Sequence, residues 1–565
     1  MNVRMDRDLI SDSLKKASRE EDINLEIPEN EEFGDYSTNL AMILAKRGRR
    51  NSQKVAQEIV RKLRKDMNLT DIVSRVEIAG PGFINFYLSN TALLVELGNI
   101  IRRGAQYGSS NLGQKKTIII DYSSPNIAKR FGIGHLRSTI IGQSLYNLYK
   151  FLGYKVIGDN HLGDWGTQFG SLLYQITSKK LDPSKLTIDN LEKLYVDFHR
   201  EEQTNPSLHE EAKKWFKKLE EGDILARKIW KAVVRISLAE FERIYNLLGV
   251  KIDFTYGESF YENKMPAVIE EIRKRGLLRE SEGAQVVQLE GMPPAIIIKS
   301  DGTTTYLTRD LATIKFRLKK WNPDFIVYEV GSEQTLHFKQ LFEIARLLGW
   351  AENRQFVHIG HGLIRFRHGK MSTRKGDTIR LEEVLNQARE KAKKIIAESK
   401  TGRGLKENQK EEVARAVGIG AVKYFDLMHH PTTDIVFDWG KIFILEGNSA
   451  PYLQYTAARA KSVLSRAKLA DVDFPFNIEP NTEEILLLRW LVKFPEVIKQ
   501  AAYNFSPNLL CNYLFNLAQK FNNFYNQHRI IGGEKEEFRI SLTKATSQVL
   551  TNGLTILGLE SPERM

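Results

Sequence analysis

The sequence predicts a multidomain α/β protein, in which a doubly wound parallel sheet with a helical insertion lies between a small α+β domain and an all-helical domain. Short β-branched runs, of which residues 117–120 are the clearest, are typical of buried strands in the middle of the chain. Beyond residue 405, apolar residues recur mainly at helical spacing. A length of 565 residues is too great for one hydrophobic core, so two to four domains are expected.

The first domain is predicted over residues 1–105. Residues 55–63 follow the pattern of an amphipathic helix, whereas the apolar residues on either side of the glycine-rich turn at 80–82 indicate strands. Together they predict a small α+β domain. In the second strand, alternation places three side chains on one face, which a half-buried strand would also show. These are Phe83, Asn85 and Tyr87.

The middle domain is predicted over residues 114–385 and begins with the strand at 117–120. A Ser-Ser-Pro-Asn turn and a loop containing Gly132 and Gly134 follow, and a helix is predicted to begin near His135. Free backbone N–H groups at a helix N-terminus suit phosphates, and glycine lets a nucleotide approach the main chain closely. Taken alone, a Gly-x-Gly sequence before a helix is a weak indication of nucleotide binding.

Further strands of the predicted sheet are expected at residues 154–157, 294–298 and 325–330. A mostly helical insertion is predicted at about 171–290, where the apolar stripes are typical of helix packing. In a doubly wound sheet the ligand lies at the carboxyl ends of the strands. The polar loop that follows residue 157 would therefore lie beside the glycine loop.

A second motif lies in the basic, glycine-flanked stretch RFRHGKMSTRKG at residues 365–376. Such a run is most simply interpreted as a solvated charged loop. It could instead close over a triphosphate and stabilise the charge that develops on pyrophosphate. Lys370, Met371 and Ser372 are the candidates for that role.

The helical domain is predicted over residues 405–565. Tyr452, Tyr455 and Arg459 occupy one helical face. Packing accounts for many aromatic residues at this spacing, but tyrosine together with arginine also suits stacking on unpaired RNA bases.

Composition favours a polyanionic partner and a cytoplasmic location. The formal net charge is +13 and the pI is near 9.3, which indicates nucleic acid before membrane. No apolar run approaches the ~18 residues of a membrane span. The N-terminal segment mixes acids with bases and resembles neither a secretory signal nor a transit peptide. Cys511 is the one cysteine, so disulfides within the chain and a cysteine-built zinc site are excluded.

The two motifs together carry a family resemblance. The segment 132–135, Gly-Ile-Gly-His, resembles the HIGH signature of class I aminoacyl-tRNA synthetases, and Lys370-Met371-Ser372 resembles their KMSKS loop, in the expected order and separation. Other segments resemble the arginyl-tRNA synthetase family over essentially the whole chain, among them SSPNIAK, GHLRSTIIG, NHLGDWGTQFG, GESFY, YLTRDLA and PYLQYTAARA. The resemblance implies a Rossmann-type catalytic domain, an N-terminal domain that binds the tRNA D-loop and a helical anticodon-binding domain of the DALR type.

The resemblance also implies roles for individual residues. Arginine would be bound by Asp121, Asn126, Tyr306, Asp310 and Gln334. ATP would be bound by Gly132, Gly134, His135, His337, Met371 and Ser372. Lys129, His135 and Lys370 would act in catalysis, and tRNA would be bound by Phe83, Asn85, Tyr87, Tyr452, Tyr455, Arg459 and Met565. Carboxylates suit arginine because a guanidinium fork pairs with them bidentately, which distinguishes it from lysine.

The spacing of two of these residues supports their predicted role in arginine binding. Tyr306 and Asp310 lie four residues apart and share one helix face if a helix begins there. For Asp310 the alternative is an acid that merely favours a helix N-terminus.

The implied reaction has two steps: ATP and arginine give arginyl-adenylate and pyrophosphate, and the terminal ribose of tRNA(Arg) then takes the arginyl group. ATP with Mg²⁺ is the expected cofactor, with no structural metal in the protein, and the family implies a monomer whose first step needs bound tRNA. The sequence departs from the family pattern at Gly132, where the first histidine of HIGH is expected, and at Thr373. Lys129, Arg130 or His161 could compensate for the missing histidine.

Two other functions remain as alternatives. A catalytically silent paralogue that binds tRNA without charging it is favoured by Gly132 alone. A nucleotidyltransferase would explain neither the Lys370-Met371-Ser372 motif nor the helical last third of the chain.

Overall fold

The computed structural model of the chain describes residues 6–28, 30–365, 380–399, 402–444, 446–467 and 478–565. It contains a small α+β region, a parallel sheet with helices on both faces, and a helical region, which confirms the predicted fold class. The predicted domain limits stay predictions. None of the helices in these ranges is long and apolar enough to cross a membrane.

The strands are β1 (Tyr36–Thr38), β2 (Val73–Ala79), β3 (Phe83–Leu88), β4 (Thr117–Asp121), β5 (Lys155–Asn160), β6 (Phe254–Thr255), β7 (Leu278–Ser281), β8 (Ala284–Val287), β9 (Ala295–Ile298), β10 (Phe325–Gly331), β11 (Gln355–His361), β12 (Ile364–Arg365) and β13 (Ile435–Val436).

The helices are α1 (Asp6–Ser18), α2 (Leu40–Gly48), α3 (Ser52–Leu63), α4 (Met67–Thr70), α5 (Asn90–Arg103), α6 (Leu136–Phe151), α7 (Gln168–Ser178), α8 (Ile188–Thr204), α9 (Ser207–Glu220), α10 (Ile224–Leu248), α11 (Met265–Lys274), α12 (Tyr306–Trp321), α13 (Thr335–Leu347), α14 (Leu381–Glu398), α15 (Glu407–Leu427), α16 (Trp439–Ile442), α17 (Ala450–Leu464), α18 (Thr482–Val492), α19 (Phe494–Tyr503), α20 (Pro507–Gln527) and α21 (Glu536–Ile556).

The central sheet has five parallel strands in the order β11-β10-β4-β5-β6. The isoleucines of β4 are completely buried, as expected for a strand covered on both faces. The strand order places the carboxyl ends of β4, β5 and β10 at one edge. That edge is where an open α/β sheet binds its ligand.

The predicted strand at 294–298 forms, but its expected place in the parallel sheet is wrong. This strand, β9, pairs antiparallel with β8 in a separate three-stranded sheet of order β7-β8-β9. The length of the connection between β8 and β9 explains this pairing. Only a short loop separates β8 from β9, which suits an antiparallel neighbour, whereas parallel strands need a crossover of about a dozen residues or more.

The N-terminal and C-terminal regions pack against each other. In the N-terminal region, strands β1, β3 and β2 form an antiparallel sheet. Glu31 accepts hydrogen bonds from the indole of Trp490 at 2.7 Å and from Lys520 at 2.8 Å, both in the C-terminal helices. Burial opposes ionisation of Glu31, but these partners lower its pKa overall. The two regions are therefore joined by a polar contact as well as by apolar packing.

Candidate active site

A cavity of about 600 Å³ opens at the carboxyl ends of β4, β5 and β10. It contains all five residues predicted to bind arginine, together with His337. Four acidic side chains line it, so it suits a cationic ligand. The lining residues are Asp121, Ser124, Asn126, His161, Gly163, Trp165, Gln168, Glu258, Tyr306, Asp310, Tyr328, Val330, Glu333, Gln334, His337 and Phe338.

The segment that follows β4 forms one wall and has an unusual backbone. Ser123, Ser124 and Ala128 have positive φ angles of 75°, 44° and 63°. Such angles are costly for residues other than glycine and persist only where the surroundings fix them. Here the amide of Ser124 donates to Asn160 at 3.0 Å, and the amide of Ala128 donates to Ser237 at 2.9 Å. The segment is therefore held in place by side chains of β5 and α10.

Asn126 lies on this segment and contacts a glycine. Its backbone pairs with that of Gly163, and a Cβ atom at Gly163 would lie 2.2 Å from the Asn126 Oδ1. A side chain at position 163 would therefore displace the amide of Asn126.

We expect Gly163→Ala to raise the KM for arginine several-fold, because the new methyl group would push the Asn126 amide away from its position. Steady-state arginine kinetics will measure this. Gly98→Ala is the matched control, because Gly98 lies in α5, outside the cavity, and a Cβ atom there meets no atom within 4 Å. An unchanged arginine KM in Gly163→Ala would contradict the assignment of Asn126.

Asp121 lies in the cavity wall but already has a partner inside the protein. Its Oδ2 accepts from the Arg317 guanidinium at 2.7 Å, and Asp159 accepts from the same guanidinium at 2.8 Å. Its Oδ1 accepts from the Ser124 hydroxyl at 3.1 Å. Arg317 is completely buried. The role of Asp121 toward a substrate guanidinium stays a prediction, since Arg317 shares its charge.

Asp310 lies between two histidines of the cavity. Its Oδ2 is 2.6 Å from the Nε2 of His337, and its Oδ1 is 3.6 Å from the Nε2 of His161. Burial opposes ionisation, but the hydrogen bond and charge of His337 lower the pKa of Asp310 overall. This carboxylate is therefore anionic at neutral pH. His161 lines the same cavity and already has Asp310 as a partner there.

The helix prediction for Tyr306 and Asp310 is confirmed. Helix α12 begins at Tyr306, and the Thr305 side chain accepts from the amide of Thr308 to cap it. The two residues therefore lie one turn apart and both line the cavity. Tyr306 is 64% exposed, so its ring is accessible to a ligand at the opening of the cavity.

Glu258 also lies in the cavity, and sequence reasoning gave it no role. Burial raises its pKa to about 8, even though Arg309 lies 3.4 Å away and opposes this. The nearby carboxylates of Asp310 and Asp164 add to the increase. The only signal in the sequence was its position in GESFY, a segment that resembles the family.

The raised pKa predicts a pH dependence for arginine binding. Glu258 is largely neutral below pH 8 and ionised above it, and only the ionised form attracts a guanidinium strongly. We therefore expect the KM for arginine to fall as pH rises from 6.5 to 8.5, by up to about tenfold per pH unit below the pKa. Glu258→Gln removes this group and should flatten the profile. A profile that is unchanged in the variant would contradict the role of Glu258 in arginine binding.

The glycine loop leads into α6 through a short 3-10 turn, Ile133–His135. The amide of Gly132 donates to the Nδ1 of His135 at 3.1 Å, which places the proton of a neutral imidazole on Nε2. Burial, with help from the charge of Lys129, lowers the pKa of His135 to about 4. His135 is therefore a neutral hydrogen-bond donor at the N-terminus of a long helix. The predicted helix start near His135 is confirmed.

Basic groups surround this loop. The Lys129 ammonium lies 4.8 Å from the ring centre of Tyr195. Arg130 forms an ion pair with Asp189 of α8, so its guanidinium already has a carboxylate partner. The backbone of Arg380 pairs with Gly132. Lys370, Met371 and Ser372 lie outside the described residues.

The backbone at Gly132 does not require glycine. Its φ of −85° and ψ of 162° are extended values that any residue adopts. We therefore expect Gly132→His to leave the rate of arginine activation equal or to raise it. Pyrophosphate exchange measures this, with Gly132→Ala as the control for adding a side chain alone. A large loss in both variants would show that this position has no room for a side chain.

The family model described as "tRNA synthetases class I (R), catalytic domain" matches residues 96–439. The chain belongs to the arginyl-tRNA synthetases. Models described as "Arginyl tRNA synthetase N terminal domain" and "DALR anticodon binding domain" match residues 6–88 and 453–565. The family predicted from the sequence is thus confirmed.

Individual relatives agree over nearly the whole chain. The arginine–tRNA ligase of Clostridium botulinum is 41% identical, and the alignment covers 96% of each chain. That of Alkaliphilus metalliredigens is 42% identical over 96% of this chain and 95% of its own. The crystal structure of the Plasmodium falciparum arginyl-tRNA synthetase has a TM-score of 0.82 at 25% identity and covers 99% of this chain and 98% of its own. The Thermus thermophilus enzyme shares the fold, with a TM-score of 0.84 at 23% identity over 99% of this chain and 100% of its own.

The N-terminal residues that were predicted to bind tRNA in this arginyl-tRNA synthetase differ in exposure. Phe83 is 38% exposed, whereas Asn85 and Tyr87 are buried. Asn85 accepts from Ser37 at 2.7 Å, and the Tyr87 hydroxyl donates to Glu77 at 2.9 Å. Phe83 is thus the member of this set that lies at the surface, and the tRNA role of all three stays a prediction.

The C-terminal residues predicted to bind tRNA lie on or beside α17. Tyr455 is exposed, and the Arg459 guanidinium lies 4.8 Å from its ring centre. Tyr452 accepts a hydrogen bond from Asn522 at 3.0 Å. Met565 is buried in an apolar cluster that also contains Ile396 and Val417. Tyr455 and Arg459 therefore lie together at the surface, whereas the side chain of Met565 packs inside, and the tRNA role of all four residues stays a prediction.

Proposed function

We propose that the chain is an arginine–tRNA ligase, which activates L-arginine with ATP and transfers it to the 3′-terminal ribose of tRNA(Arg). The observation that carries the proposal is the acidic cavity, which lies beside a glycine loop and a helix N-terminus at one edge of the sheet. An acidic cavity suits a guanidinium, and a helix N-terminus suits phosphates. Family membership supports the same reaction.

In this proposal, the guanidinium of arginine lies between Asp310, Glu258 and Tyr306. The Asp310 carboxylate supplies the charge, and its histidine partners fix its orientation. Asp121 adds to the negative potential from the floor of the cavity. Asn126 and Gln334, which also line the cavity, would hold the α-amino and carboxylate groups.

ATP would lie along the glycine loop, with its phosphates toward the N-terminus of α6. The fit rests on two features of the loop: a Cβ atom at Gly134 would meet no atom within 4 Å, and the neutral His135 can donate from Nε2. Gly132 and His337 would complete the nucleotide contacts, with Met371 and Ser372 from the basic segment. Mg²⁺ bound with ATP would neutralise phosphate charge.

The first step needs no side-chain nucleophile. A carboxylate oxygen of arginine attacks the α-phosphorus of ATP, the bond to the bridging oxygen of pyrophosphate breaks, and the electron pair leaves with pyrophosphate. The chain would contribute by holding the carboxylate in line, and Lys129, His135 and Lys370 would stabilise the charge that develops. In the second step a terminal ribose hydroxyl attacks the arginyl carbonyl and AMP departs.

In the transfer step, Phe83, Asn85 and Tyr87 of the N-terminal region and Tyr452, Tyr455, Arg459 and Met565 of the C-terminal region would contact the tRNA. Exposed aromatic rings beside arginine suit stacking with unpaired bases, which supports Tyr455 and Arg459 most directly. We also propose that the enzyme acts as a cytoplasmic monomer, as its family resemblance implies.

Aminoacylation with radiolabelled arginine, ATP, Mg²⁺ and unfractionated tRNA tests the proposal, with lysine as the control amino acid. Arginine-specific charging is the expected result. Pyrophosphate exchange should be measured with and without tRNA in parallel. Tight tRNA binding with neither charging nor exchange would overturn the proposal in favour of a silent tRNA-binding paralogue.

A further inference from the structure

The glycine loop lacks one donor that the family pattern supplies. Gly132 occupies the position where the first histidine of HIGH is expected, and it has no side chain that could donate to a phosphate. Arg130, a candidate to compensate, is paired with Asp189 of α8. His161, another candidate, lies 3.6 Å from Asp310 in the arginine cavity. Both candidates thus already have carboxylate partners, and the missing donor has to be sought in the tertiary structure around the loop.

A histidine at the carboxyl end of β11 is suited to this role. His361 is the last residue of β11 and lies opposite Gly331 of β10 in the parallel register. Because side chains alternate along a strand, Gly331 and Glu329 share one face of β10, and Gly331 has no side chain there. The His361 ring contacts Glu329 instead, with its Nδ1 3.1 Å from the Oε1 of that carboxylate. Its Nε2 has no hydrogen-bond partner among the described residues, so it can donate to a ligand.

Glu329 favours the charged form of His361. Glu329 is completely buried, and a carboxylate in the interior is costly unless a cation pairs with it. Burial opposes ionisation of His361, but the charge and the hydrogen bond of Glu329 raise the pKa of the imidazole overall. Two more distant groups act in opposite directions, since Arg137 of α6 lowers this pKa and Asp426 of α15 raises it. Near neutral pH, His361 is therefore more fully protonated than an ordinary histidine.

The pair of His361 and Glu329 lies against the first turn of α6. The Ser138 hydroxyl of that turn donates to the backbone oxygen of Glu329 at 2.7 Å. The Arg137 guanidinium donates at 3.0 Å to the backbone oxygen of Gly362, the residue after His361. Because the phosphates of ATP are proposed to lie at the N-terminus of α6, these contacts bring His361 to the proposed phosphate site.

The two histidines nearest to His361 are uncharged at neutral pH. Burial lowers the pKa of His135 to about 4, and the charge of His361 adds to the decrease. Burial also lowers the pKa of His358, which accompanies His361 on β11, and the charge of His361 again contributes. His361 is therefore the member of this group that carries positive charge.

We infer that His361 supplies the donor that Gly132 lacks, by donating from Nε2 to a phosphate oxygen of ATP during the activation of arginine. Glu329 is a positioning residue, which orients the ring and keeps it protonated. The inference rests on the proposed function and adds a residue to its ATP site. Glycine at position 132 is then compatible with full activity, because the lost side chain is replaced from β11.

A double-mutant cycle of positions 361 and 132 tests the inference. His361→Gln should lower pyrophosphate exchange, at saturating arginine and tRNA, at least about tenfold, because one preorganised donor is worth ~10²-fold or more. Gly132→His should restore most of this loss in the His361→Gln protein, although it changes the wild-type rate far less. The KM for arginine should stay within about twofold of the wild type in all four proteins. A loss that Gly132→His does not rescue would reduce His361 to a structural role and overturn the inference.

His528→Gln is the matched control. The Nε2 of His528 lies 3.2 Å from the Oε2 of Glu483, so this is also a pair of histidine and glutamate, but it belongs to the C-terminal region. The substitution should leave exchange at saturating arginine and tRNA unchanged. An equal loss of exchange in His361→Gln and His528→Gln would show that losing such a pair acts through stability, and would overturn the inference.

Glu329→Gln adds a test that does not remove the histidine. Without the carboxylate the pKa of His361 should fall, so the ring loses its proton as pH rises from about 6 to about 8. Exchange by the variant should therefore decrease over this range relative to the wild type. A pH profile parallel to that of the wild type would overturn the role of Glu329.

NMR of ¹⁵N-labelled histidine measures the protonation of His361 without the reaction, with His361→Gln to assign the signal. A non-hydrolysable ATP analogue with Mg²⁺ should raise the pKa of His361, because a nearby phosphate favours the imidazolium. An unchanged pKa would overturn the inference, as would exchange by His361→Gln at the wild-type rate, which would leave Lys129 as the compensating group. Wild-type protein that shows no arginine-dependent exchange with tRNA present would instead overturn the proposed function.

Discussion

Asp310→Asn is expected to raise the KM for arginine by at least about 30-fold, the largest kinetic effect of any single change in the cavity. The substitution keeps the shape of the side chain and removes the anionic charge that would face the guanidinium. It also gives His337 and His161 an amide in place of a carboxylate partner, so the histidines lose the group that orients them. The discrimination of the enzyme against lysine should also fall, because that discrimination depends on paired hydrogen bonds to the guanidinium.

Steady-state kinetics with varied arginine and with varied ATP measure this effect. The KM for ATP should rise less than the KM for arginine, because ATP is affected only through the orientation of His337. Asp301→Asn is a suitable control, since Asp301 caps the exposed turn before α12 through the amide of Thr303 at 2.9 Å and lies outside the cavity. If the KM values for arginine and for ATP rose equally in Asp310→Asn, the result would indicate misfolding of α12 rather than a lost contact with arginine.

Arg317→Met is expected to cause the largest loss of stability, about 3–5 kcal/mol, because it leaves uncompensated charges in the interior. The Arg317 guanidinium is the shared partner of Asp121 and Asp159, and all three are buried beneath the cavity. Methionine fills part of the volume but offers no donor. Arg317→Lys keeps the charge and should cost less, although it cannot reproduce the planar fork.

The same variant should show a steeper pH dependence of stability than the wild type. Burial raises the pKa of Asp159 even in the wild type, where Arg317 opposes the increase, so without Arg317 the folded-state pKa of Asp159 rises further above its unfolded value. Stability is then fully present below the unfolded pKa and is lost as pH rises through the folded pKa. Urea unfolding of the variant should therefore show a stability that falls from pH 5 toward pH 8 relative to the wild type. Parallel curves for the two proteins would show that the carboxylates find another partner.

The sequence predicted much of the parallel sheet because its strands are buried on both faces. Residues 117–120 and 325–330 are continuous apolar runs, and the loops between strand and helix contain glycine and proline where the chain turns. The spacing of Tyr306 and Asp310 predicted their common helix face correctly, since a period of 3.6 residues fixes it. β9 was assigned to the wrong sheet because periodicity predicts a strand but does not identify its neighbour.

The partners of the acidic residues could not be predicted from local patterns. Arg317 lies 196 residues from Asp121, and nothing in either segment indicates that they meet. Glu258 gains its raised pKa from burial beneath residues distant in the chain, so its environment exists only after folding. For the same reason alternation grouped Asn85 with Phe83, although packing buries one and exposes the other. Side-chain spacing shows which residues share a face, and tertiary packing decides what covers that face.

The position of β10 beside β4 has a consequence for synthesis of the chain. The amide of Thr117 donates to Asp324 at 2.8 Å across a separation of 207 residues, and the whole insertion lies between these points. At ~5–20 residues per second, a ribosome needs roughly ten seconds or more to pass from the end of β5 to β10. During that interval β4 has an open edge that could pair with another nascent chain. Closure of this long loop, rather than formation of any helix, should therefore limit the folding rate of the catalytic region.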